Sequence, residues 1–521
     1  MNSTLNRIKD SRAAVRHLGG QTAIVMVGTA FTFIVGLPFQ IYLARELGAA
    51  GLGVVGIAEA LVLTGAGLLG LGLAPLVVRY IPEYRVTGAS RAVRQLVIFG
   101  LTMLTGLGMI GALLMVPLSN LLPPAAGISQ EVVGLLMILS LLLPLSMISF
   151  FIAQALRGFQ EIRVLVLSTS FLALTVKVIL TLILFATGGA SPQAYAWALV
   201  GAQGVAILPM ALKLWRLLSA LPQEATPTSI DWGALISFAG TNYASGALNT
   251  LVGNLDRVVI GALLGPSAVG VLMVARQLQQ FPTVFHQVVL TVISPVFARL
   301  KAAGDMSGLA HQLHLANDWI MRMAAGLIIV MAVLTDHALA LYGTEFADQG
   351  GALFLLLLAT VLVNLAGGPV GILLNMTGYH VAMLKIGVIT SVTTFASYFL
   401  LVPMLGVAGA GLAVLLGTVV NKGVAIWLVR KRLSITWYDQ RFRGWILPST
   451  ATATILFALR PAFDGLQGLG AQATMLVAAA ILAYIVFFGV NLLAGLHEDD
   501  REVIAAVRAR VAALRNRGAQ S

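Results

Sequence analysis

Long apolar segments, separated by short polar breaks, dominate this sequence from residue 20 to residue 495. Most of them run for roughly 20 residues, the length that an α-helix needs to cross a bilayer. The pattern predicts fourteen membrane-spanning helices. We place them at 20–42, 52–79, 95–118, 131–156, 164–187, 194–216, 234–262, 267–297, 318–341, 351–375, 380–402, 406–429, 445–461 and 471–495. A transmembrane β-barrel is not expected, because its strands alternate apolar and polar positions over about ten residues.

Composition supports this assignment to an all-α polytopic membrane protein. The chain is 59% hydrophobic and only 10% charged, whereas ordinary soluble domains carry about 25% charged residues. It contains no cysteine, which excludes disulfides, thiol catalysis and cysteine-bound metals. The glycine-rich stretches lack the G-x-x-x-x-G-K-[S/T] pattern, so a P-loop ATPase is not expected. We predict neither a catalytic centre nor a metal or other cofactor.

The chain has a net charge of +12, and its basic residues are unevenly distributed along the sequence. They gather before the first predicted span, in alternate breaks between spans and in the C-terminal tail. Representative positions are Arg7, Lys9, Arg85, Arg91, Arg157, Arg299, Arg430, Arg443, Arg508 and Arg515. The positive-inside rule then predicts that both termini are cytoplasmic. The basic balance is therefore mostly topology plus attraction to anionic lipid headgroups, so nucleic acid is not an expected partner.

One segment occurs twice. Leu47–Ala58 reads LGAAGLGVVGIA and Leu264–Ala275 reads LGPSAVGVLMVA. Four glycines occupy matching positions in the two copies, namely Gly48, Gly53, Gly265 and Gly270. Six predicted helices on one side of the midpoint match six on the other in the same order, which implies a pseudo-two-fold axis along the membrane normal. In transporters built this way the working site usually lies between the halves.

The repeat also predicts the domain organisation. Residues 1–217 form an N-terminal lobe of helices 1–6, and 234–432 form a C-terminal lobe of helices 7–12. A cytoplasmic linker at 218–233 joins the lobes. Residues 433–495 add helices 13 and 14, and 496–521 are expected to form an amphipathic helix lying on the cytoplasmic surface.

The run Gly67–Arg85 (GLLGLGLAPLVVRYIPEYR) and the run Leu255–Ala275 (LDRVVIGALLGPSAVGVLMVA) resemble polysaccharide flippases. These belong to the multidrug/oligosaccharidyl-lipid/polysaccharide exporter superfamily. The resemblance implies two six-helix lobes around a central cavity that opens alternately to each side of the bacterial inner membrane. It also implies a polyprenyl-diphosphate-linked oligosaccharide as substrate, for O-antigen, lipopolysaccharide, capsule or exopolysaccharide synthesis. A polysaccharide polymerase or a glycosyltransferase would then be a possible partner, besides membrane lipids.

Charges inside the predicted spans are candidate site residues, because burying a charge in a bilayer is costly. Glu59 and Arg276 follow the matched Ala58 and Ala275, so the repeat makes them equivalent positions on facing cavity walls. Arg276 could bind a diphosphate oxygen, since its planar guanidinium donates two parallel hydrogen bonds. Glu59 would then release it when substrate arrives. A salt bridge that only holds the closed state is the alternative.

Further candidates surround this pair in the predicted cavity. They are Arg257 as a second anion contact, Gln40 at the position matching Arg257, Asp256 as a proton or sodium coupling site, Lys177 and Lys422 as cavity cations, and Arg322 and Lys385 as part of a cationic inner vestibule. Local neutralisation of Arg257 by Asp256 is equally possible, and snorkelling explains the cations near helix ends. Asn254 and the run Thr241–Tyr243 could face sugar hydroxyls or bond neighbouring helices, whereas His286 is expected to be a buried, hydrogen-bonded histidine.

Other functions stay open. A drug or cation antiporter of the same fold is the nearest rival, although it would favour carboxylates over the Lys and Arg found in these spans. A membrane glycan polymerase or glycosyltransferase is a remote alternative, because such enzymes need a substantial outer loop. The most acidic outer loop here, Gly343–Gly351, is short. A structural role would leave mid-membrane charges such as Lys177 unexplained.

Overall fold

A computed structural model describes residues 2–121, 129–222, 230–465, 468–494 and 500–501. This part of the chain is helical and contains no β-strand. The helices are α1 (Asn2–Leu69), α2 (Leu73–Val86), α3 (Ser90–Leu121), α4 (Gln130–Leu139), α5 (Leu142–Gly158), α6 (Ile162–Val166), α7 (Ala173–Gly188), α8 (Pro192–Ser219), α9 (Trp232–Leu264), α10 (Pro266–Ala302), α11 (Met306–Val333), α12 (Thr335–Ala340), α13 (Thr344–Ala366), α14 (Val370–Met376), α15 (His380–Leu433), α16 (Ile446–Asp464) and α17 (Leu469–Ala494). The predicted all-α multi-pass class is confirmed.

The number of spans differs from the prediction. Among the described residues, eleven helices are long and apolar enough to cross a membrane, or twelve if α4 and α5 form one bent span. The predicted fourteen are therefore not confirmed. Helix α1 holds the first predicted span and much of the second, and it leaves helical geometry at Gly48. Helix α15 likewise contains two predicted spans and leaves helical geometry at Gly406.

Several predicted spans are interrupted rather than continuous. The span 52–79 breaks before α2, 131–156 breaks between α4 and α5, and 351–375 breaks between α13 and α14. In each case a proline lies at or near the start of the following helix, namely Pro75, Pro144 and Pro369. Proline is tolerated in a first turn, where its missing N–H has no intrahelical partner, but it disrupts a helix interior. The apolar run hides these breaks in the sequence.

Polar residues cap the helices that begin in the short breaks. Ser191 accepts a hydrogen bond from the backbone N–H of Ala194 at the start of α8, where Pro192 is the first helical residue. Asp231 accepts from Ala234 at 3.0 Å at the start of α9. A side-chain oxygen at this position satisfies one of the orphan N–H groups of the first turn.

The helices form two compact units. The first unit comprises Met1–Val274, Tyr342–Gly350 and Phe395–Ala410, and the second comprises Ala275–Leu341, Gly351–Thr394 and Gly411–Ser521. The predicted lobe boundaries stay predictions. Residues 223–229 of the predicted linker and most of the predicted tail, 496–499 and 502–521, lie outside the described residues.

In the first unit, the two copies of the repeated segment pack against each other. Gly53 of the first copy lies so close to the backbone carbonyl of Pro266 that a Cβ there would overlap it. Gly270 of the second copy meets the carbonyl of Ala49 in the same way. Reciprocal contacts of this kind require glycine, because any side chain would separate the two backbones. These close backbone contacts explain why both matched positions are glycine.

The second residue of each copy is a glycine, and the two glycines share one backbone conformation. Gly48 has φ 67° and ψ 178°, and Gly265 has φ 87° and ψ 176°. This region is essentially restricted to glycine. After the first break, the backbone N–H of Ala49 donates to Glu345 Oε1 at 2.7 Å. The carboxylate thus supplies the cap that the chain itself lacks at this helix start.

The second unit has its own apolar clusters. One joins α10, α11, α14 and α15 around Phe297, Leu309, Leu373 and Val429, all less than 2% exposed. Another joins α11, α16 and α17 around Leu334, Leu456 and Ala483. These clusters hold the helices that carry the polar groups described below.

Candidate functional site

Two of the predicted site residues contact each other in the first unit, and a third lies near them. Glu59 projects from α1 and Arg257 from α9, with 3.9 Å between Oε2 of Glu59 and Nη1 of Arg257. Both side chains are partly exposed, at 31% and 24%. Lys177, on α7, lies within electrostatic range of the Glu59 carboxylate. We call Glu59, Arg257 and Lys177 the charged cluster; it has two cations for one carboxylate.

An aromatic ring of α1 lies beside Lys177. Its ammonium lies 5.5 Å from the centroid of the Phe39 ring, a cation–π distance. Phe39 is 5% exposed and its centroid lies 6.4 Å from that of Tyr195 on α8. The ring face and one nearby carboxylate thus stabilise an ammonium in the middle of an apolar helix.

Asp256 immediately precedes Arg257 on α9. It is 1% exposed, and its Oδ1 accepts the backbone N–H of Arg257 at 2.8 Å. This contact is with the main chain of Arg257, and neutralisation of the guanidinium by Asp256 stays a prediction. Gln40, predicted to match Arg257, is half-buried on α1.

An apolar cavity of about 440 Å³ lies elsewhere in the first unit. Small residues of α1 and α2 line it, together with α5 and α9. Asn242 and Tyr243, two members of the predicted polar run, contribute to its wall with Thr250. The amide of Asn242 donates to the Phe238 carbonyl, and that of Asn254 donates to the Thr250 carbonyl, within their own helix. Those amide protons are therefore satisfied locally.

Lys422 and Arg276 belong to the second unit. Lys422 is buried, and its Nζ donates to the carbonyl of Gly368 at 3.0 Å, at the break between α13 and α14. This contact caps an interrupted helix, which is a structural task. Arg276 is half-buried near the start of α10. The pairing of Arg276 with Glu59 and the substrate contacts of both cations stay predictions.

Arg322 and Lys385, two cations predicted for an inner vestibule, have different surroundings. Arg322 is bound by two carboxylates, Asp318 at 2.9 Å and Asp500 at 2.7 Å. Trp319 also donates to Asp500, at 3.2 Å. Lys385 is exposed on α15. His286 is 8% exposed, and its Nε2 has no hydrogen-bond partner among the described residues, contrary to the expected hydrogen-bonded histidine.

The second unit also contains a polar cavity that the sequence analysis did not identify. Its volume is about 320 Å³. It is lined by Gln279, Thr283, Thr360, Val361, Asn364, Thr390, Thr418 and Asn421. A signal was present in the sequence, because Gln279 and Thr283, and likewise Thr360 and Asn364, are four residues apart and share a helix face.

The charged cluster and the polar cavity differ in the ligands that their side chains could bind. In the described parts of the chain, no group of three or more His, Cys, Asp or Glu residues could hold a metal ion. The charged cluster offers guanidinium and ammonium donors, which bind anions. The polar cavity offers amides and hydroxyls, which bind neutral polar ligands.

Structural comparison finds the same fold in membrane transporters. Lipid II flippase MurJ in an inward closed conformation aligns with a TM-score of 0.63 and 12% identity, over 89% of this chain and 98% of that one. An inward-facing multidrug resistance MATE family transporter of the MOP superfamily aligns with a TM-score of 0.60 and 16% identity, over 76% and 94%. A MOP superfamily transporter from Pyrococcus furiosus aligns with a TM-score of 0.56 and 16% identity, over 80% of this chain and 96% of that one.

Sequence comparison gives the family. No curated protein matches the chain significantly. The profile of the family described as polysaccharide biosynthesis protein matches residues 18–301, more than half of the chain. This agrees with the resemblance to flippase-type exporters. The chain is a multi-pass membrane protein with the fold of MOP superfamily transporters, and it belongs to the polysaccharide biosynthesis protein family.

Proposed function

We propose that this protein is a flippase that moves a polyprenyl-diphosphate-linked oligosaccharide across the bacterial inner membrane by alternating access. Both termini would be cytoplasmic, and the transported lipid would supply the synthesis of a surface polysaccharide such as O-antigen or exopolysaccharide. Family membership supports a role in polysaccharide export. The match to a lipid II flippase over 89% of the chain supports a fold suited to such a substrate.

The charged cluster is the observation that carries the proposal. Charged side chains inside a membrane protein are costly and mark substrate or ion pathways. Here one carboxylate, Glu59, faces two cations, Arg257 and Lys177. The cluster therefore has a surplus of positive charge, which a diphosphate would neutralise. A carboxylate-rich site would instead suit a cationic drug.

The geometry of Arg257 suits a role in binding. At 3.9 Å, its contact with Glu59 is long for a charge-assisted hydrogen bond. A guanidinium has five N–H donors, so most of them stay available for a phosphate oxygen. In our proposal Arg257 binds one phosphate group and Lys177 the other. Glu59 competes for Arg257 when the substrate leaves, so the guanidinium keeps an anionic partner.

The remaining predicted residues take supporting roles in this proposal. Arg276 is a further diphosphate contact, as its match with Glu59 in the repeat suggests. Asp256, which is buried beside Arg257, is the candidate for proton or sodium coupling. Gln40 would face the headgroup on α1. A polymerase or glycosyltransferase would receive or supply the lipid-linked glycan.

Flipping of a fluorescent polyprenyl-diphosphate saccharide in proteoliposomes tests the proposal. We expect Arg257→Gln and Arg276→Ala to slow flipping roughly tenfold or more, because each removes a hydrogen bond to a charged group. Arg157→Gln is the matched control, since Arg157 is exposed and bonds only Gln154 among the described residues. Normal flipping by Arg257→Gln would refute the role of the cluster. Absence of flipping by the unaltered protein would refute the proposed substrate.

The similarity to MATE transporters makes cation antiport the second candidate. Two carboxylates, Glu59 and Asp256, lie on the neighbouring helices α1 and α9 and could serve it. Efflux of a cationic dye, measured in the same proteoliposomes, separates the two functions. The flippase proposal predicts no dye efflux that depends on Glu59.

A further inference from the structure

The polar cavity of the second unit is unusual for its surroundings. Seven of its eight lining residues have uncharged polar side chains, in a chain that is 59% hydrophobic. The helices that supply them, α10, α13 and α15, include candidate membrane spans. Burying a polar group without a hydrogen-bond partner destabilises the folded protein. The convergence of seven polar side chains on one cavity therefore needs a reason.

The positions of these residues place them on four helix faces. Gln279 and Thr283 are four residues apart on α10, and Thr360 and Asn364 are four apart on α13. Residues at this spacing lie one above the other on a helix. The two parts of α15 on either side of Gly406 supply the rest, Thr390 from the first part and Thr418 and Asn421 from the second. The cavity is thus walled along its length by paired polar side chains.

Existing hydrogen bonds determine what the cavity can still offer. The hydroxyl groups of Thr283, Thr360 and Thr418 donate to carbonyls of their own helices at 2.7, 2.9 and 3.0 Å. Their oxygen atoms therefore keep lone pairs that can accept. Asn421 donates to the Thr390 hydroxyl at 3.0 Å, and Gln279 donates to the Leu357 carbonyl at 3.2 Å. Their amide oxygens remain as acceptors.

The cavity is rich in acceptors and has no charged lining residue. The nearest cation in sequence, Lys422, follows Asn421 but is buried, and its ammonium bonds Gly368. A diphosphate therefore finds no counter-charge in this lining. A ligand with many hydroxyl donors and no charge does fit. The volume of about 320 Å³ equals roughly ten water molecules, which is the scale of a sugar ring.

We propose that this polar cavity binds a sugar of the glycan headgroup. The inference rests on the proposed function for the identity of the ligand, because a lipid-linked glycan is the source of the sugar. It deepens that function by assigning glycan recognition to residues distinct from the charged cluster. Asn364 and Asn421 are the central contacts, because an amide side chain offers both a donor and an acceptor.

Binding of lipid-free bacterial repeat-unit oligosaccharides to the full-length protein in nanodiscs is the first test. We expect at least one oligosaccharide of the panel to bind saturably, and Asn364→Leu with Asn421→Leu to weaken that binding tenfold or more. Thr418→Val, which is nearly isosteric, provides a milder change should the double variant fail to fold. Asn491→Leu is the control, because Asn491 lies on α17 and bonds the Phe487 carbonyl of its own helix.

Transport separates this inference from the proposed function. The double variant should flip sugar-free polyprenyl diphosphate at the normal rate and the glycan-bearing lipid at least tenfold more slowly. Equal loss or no loss for both lipids would overturn the sugar site while flipping by the unaltered protein supports the flippase. If the unaltered protein flips neither lipid, the proposed function fails and the oligosaccharide binding alone decides.

Sodium is the competing occupant, because hydroxyl and amide oxygens also ligate cations. Binding of radioactive Na⁺ that is lost in the double variant, with no effect on sugar binding, would overturn the inference. Absence of saturable sugar binding by the unaltered protein would overturn it as well.

Discussion

The matched glycines of the repeat allow two kinds of backbone requirement to be separated by substitution. Gly53 has ordinary helical geometry, but a Cβ there would overlap the Pro266 carbonyl. Gly265 has φ 87°, and a Cβ there would meet nothing within 4 Å. Gly204, in the interior of α8, has neither constraint. Alanine therefore introduces a steric overlap at Gly53, a backbone strain at Gly265 and neither at Gly204.

The expected free energies follow from these differences. Gly53→Ala should destabilise the protein by about 1–3 kcal/mol, the cost of overpacking against a backbone atom that cannot rotate away. Gly265→Ala should also cost about 1–3 kcal/mol, because the conformation with ψ 176° is unfavourable for any residue with a Cβ. Gly204→Ala should be neutral or stabilise by up to about 1 kcal/mol, since alanine favours the helix.

Thermal unfolding of the full-length protein in detergent, followed by intrinsic fluorescence, compares the variants. Because membrane proteins often unfold irreversibly, all variants are scanned at one rate and read as differences in apparent Tm. We expect the apparent Tm of Gly53→Ala and of Gly265→Ala to be lower than that of the unaltered protein. The apparent Tm of Gly204→Ala should equal or exceed it. An apparent Tm for Gly53→Ala at or above that of Gly204→Ala would refute the close packing of the two repeat copies.

Two further predictions concern the second unit. Arg322→Met should destabilise the protein by about 3–5 kcal/mol, because it leaves the nearly buried Asp318 carboxylate unpaired. Adding Asp318→Asn should restore most of the lost apparent Tm, whereas Asp500→Asn alone should lower the apparent Tm less than Arg322→Met does. No recovery of apparent Tm in the double variant would contradict the ion-pair argument. Asp305 caps α11, and the backbone N–H of Gly308 that bonds it holds the pKa of that carboxyl below its ordinary 3.8. Its stabilisation is thus present above the unfolded-state pKa and lost as pH falls through the lower folded-state value. Asp305→Ala should lower the apparent Tm at pH 7, and the difference should shrink below about pH 4; a difference that persists at lower pH would contradict this.

Much of the fold could be predicted because span length and hydropathy are local properties of the sequence. Hydropathy did not locate the breaks. Predicted span 52–79 ends one helix and begins another around Gly72, which has φ 67°, yet its residues stay apolar throughout. Hydropathy measures the solvent that a segment prefers, and it carries little information on whether the backbone is continuous. Proline and glycine positions such as Pro75 and Gly72 held that information, and they need a three-dimensional context to be interpreted.

The candidate site shows the same division between local and non-local information. The rarity of intramembrane charge identified Glu59, Arg257 and Lys177, which the structure places together. Their partners depended on packing: Glu59 contacts Arg257 at 3.9 Å, an arrangement that the match between Glu59 and Arg276 did not suggest. Lys422 is a predicted cavity cation, and its ammonium also bonds the Gly368 carbonyl just after α13, a partner that its sequence position does not indicate. Charge predicts that a residue needs a partner, and only the fold determines which one.

The difference between charged and neutral polar groups gives the two proposed sites different tasks. Removing a charge from water costs far more than removing a hydroxyl or an amide, so a diphosphate must be met by opposite charge, as in the charged cluster. A glycan needs only matched hydrogen bonds, and neutral side chains supply them at a smaller desolvation penalty. They also release the ligand more easily, because no ion pair has to be broken. A transporter that must both bind and release gains from keeping its ion pairs few and its glycan contacts neutral. By this argument the substrate's charge should be recognised in the first unit and its sugar identity in the second, so that substitutions at Asn364 change which glycan is transported and substitutions at Arg257 change whether any is.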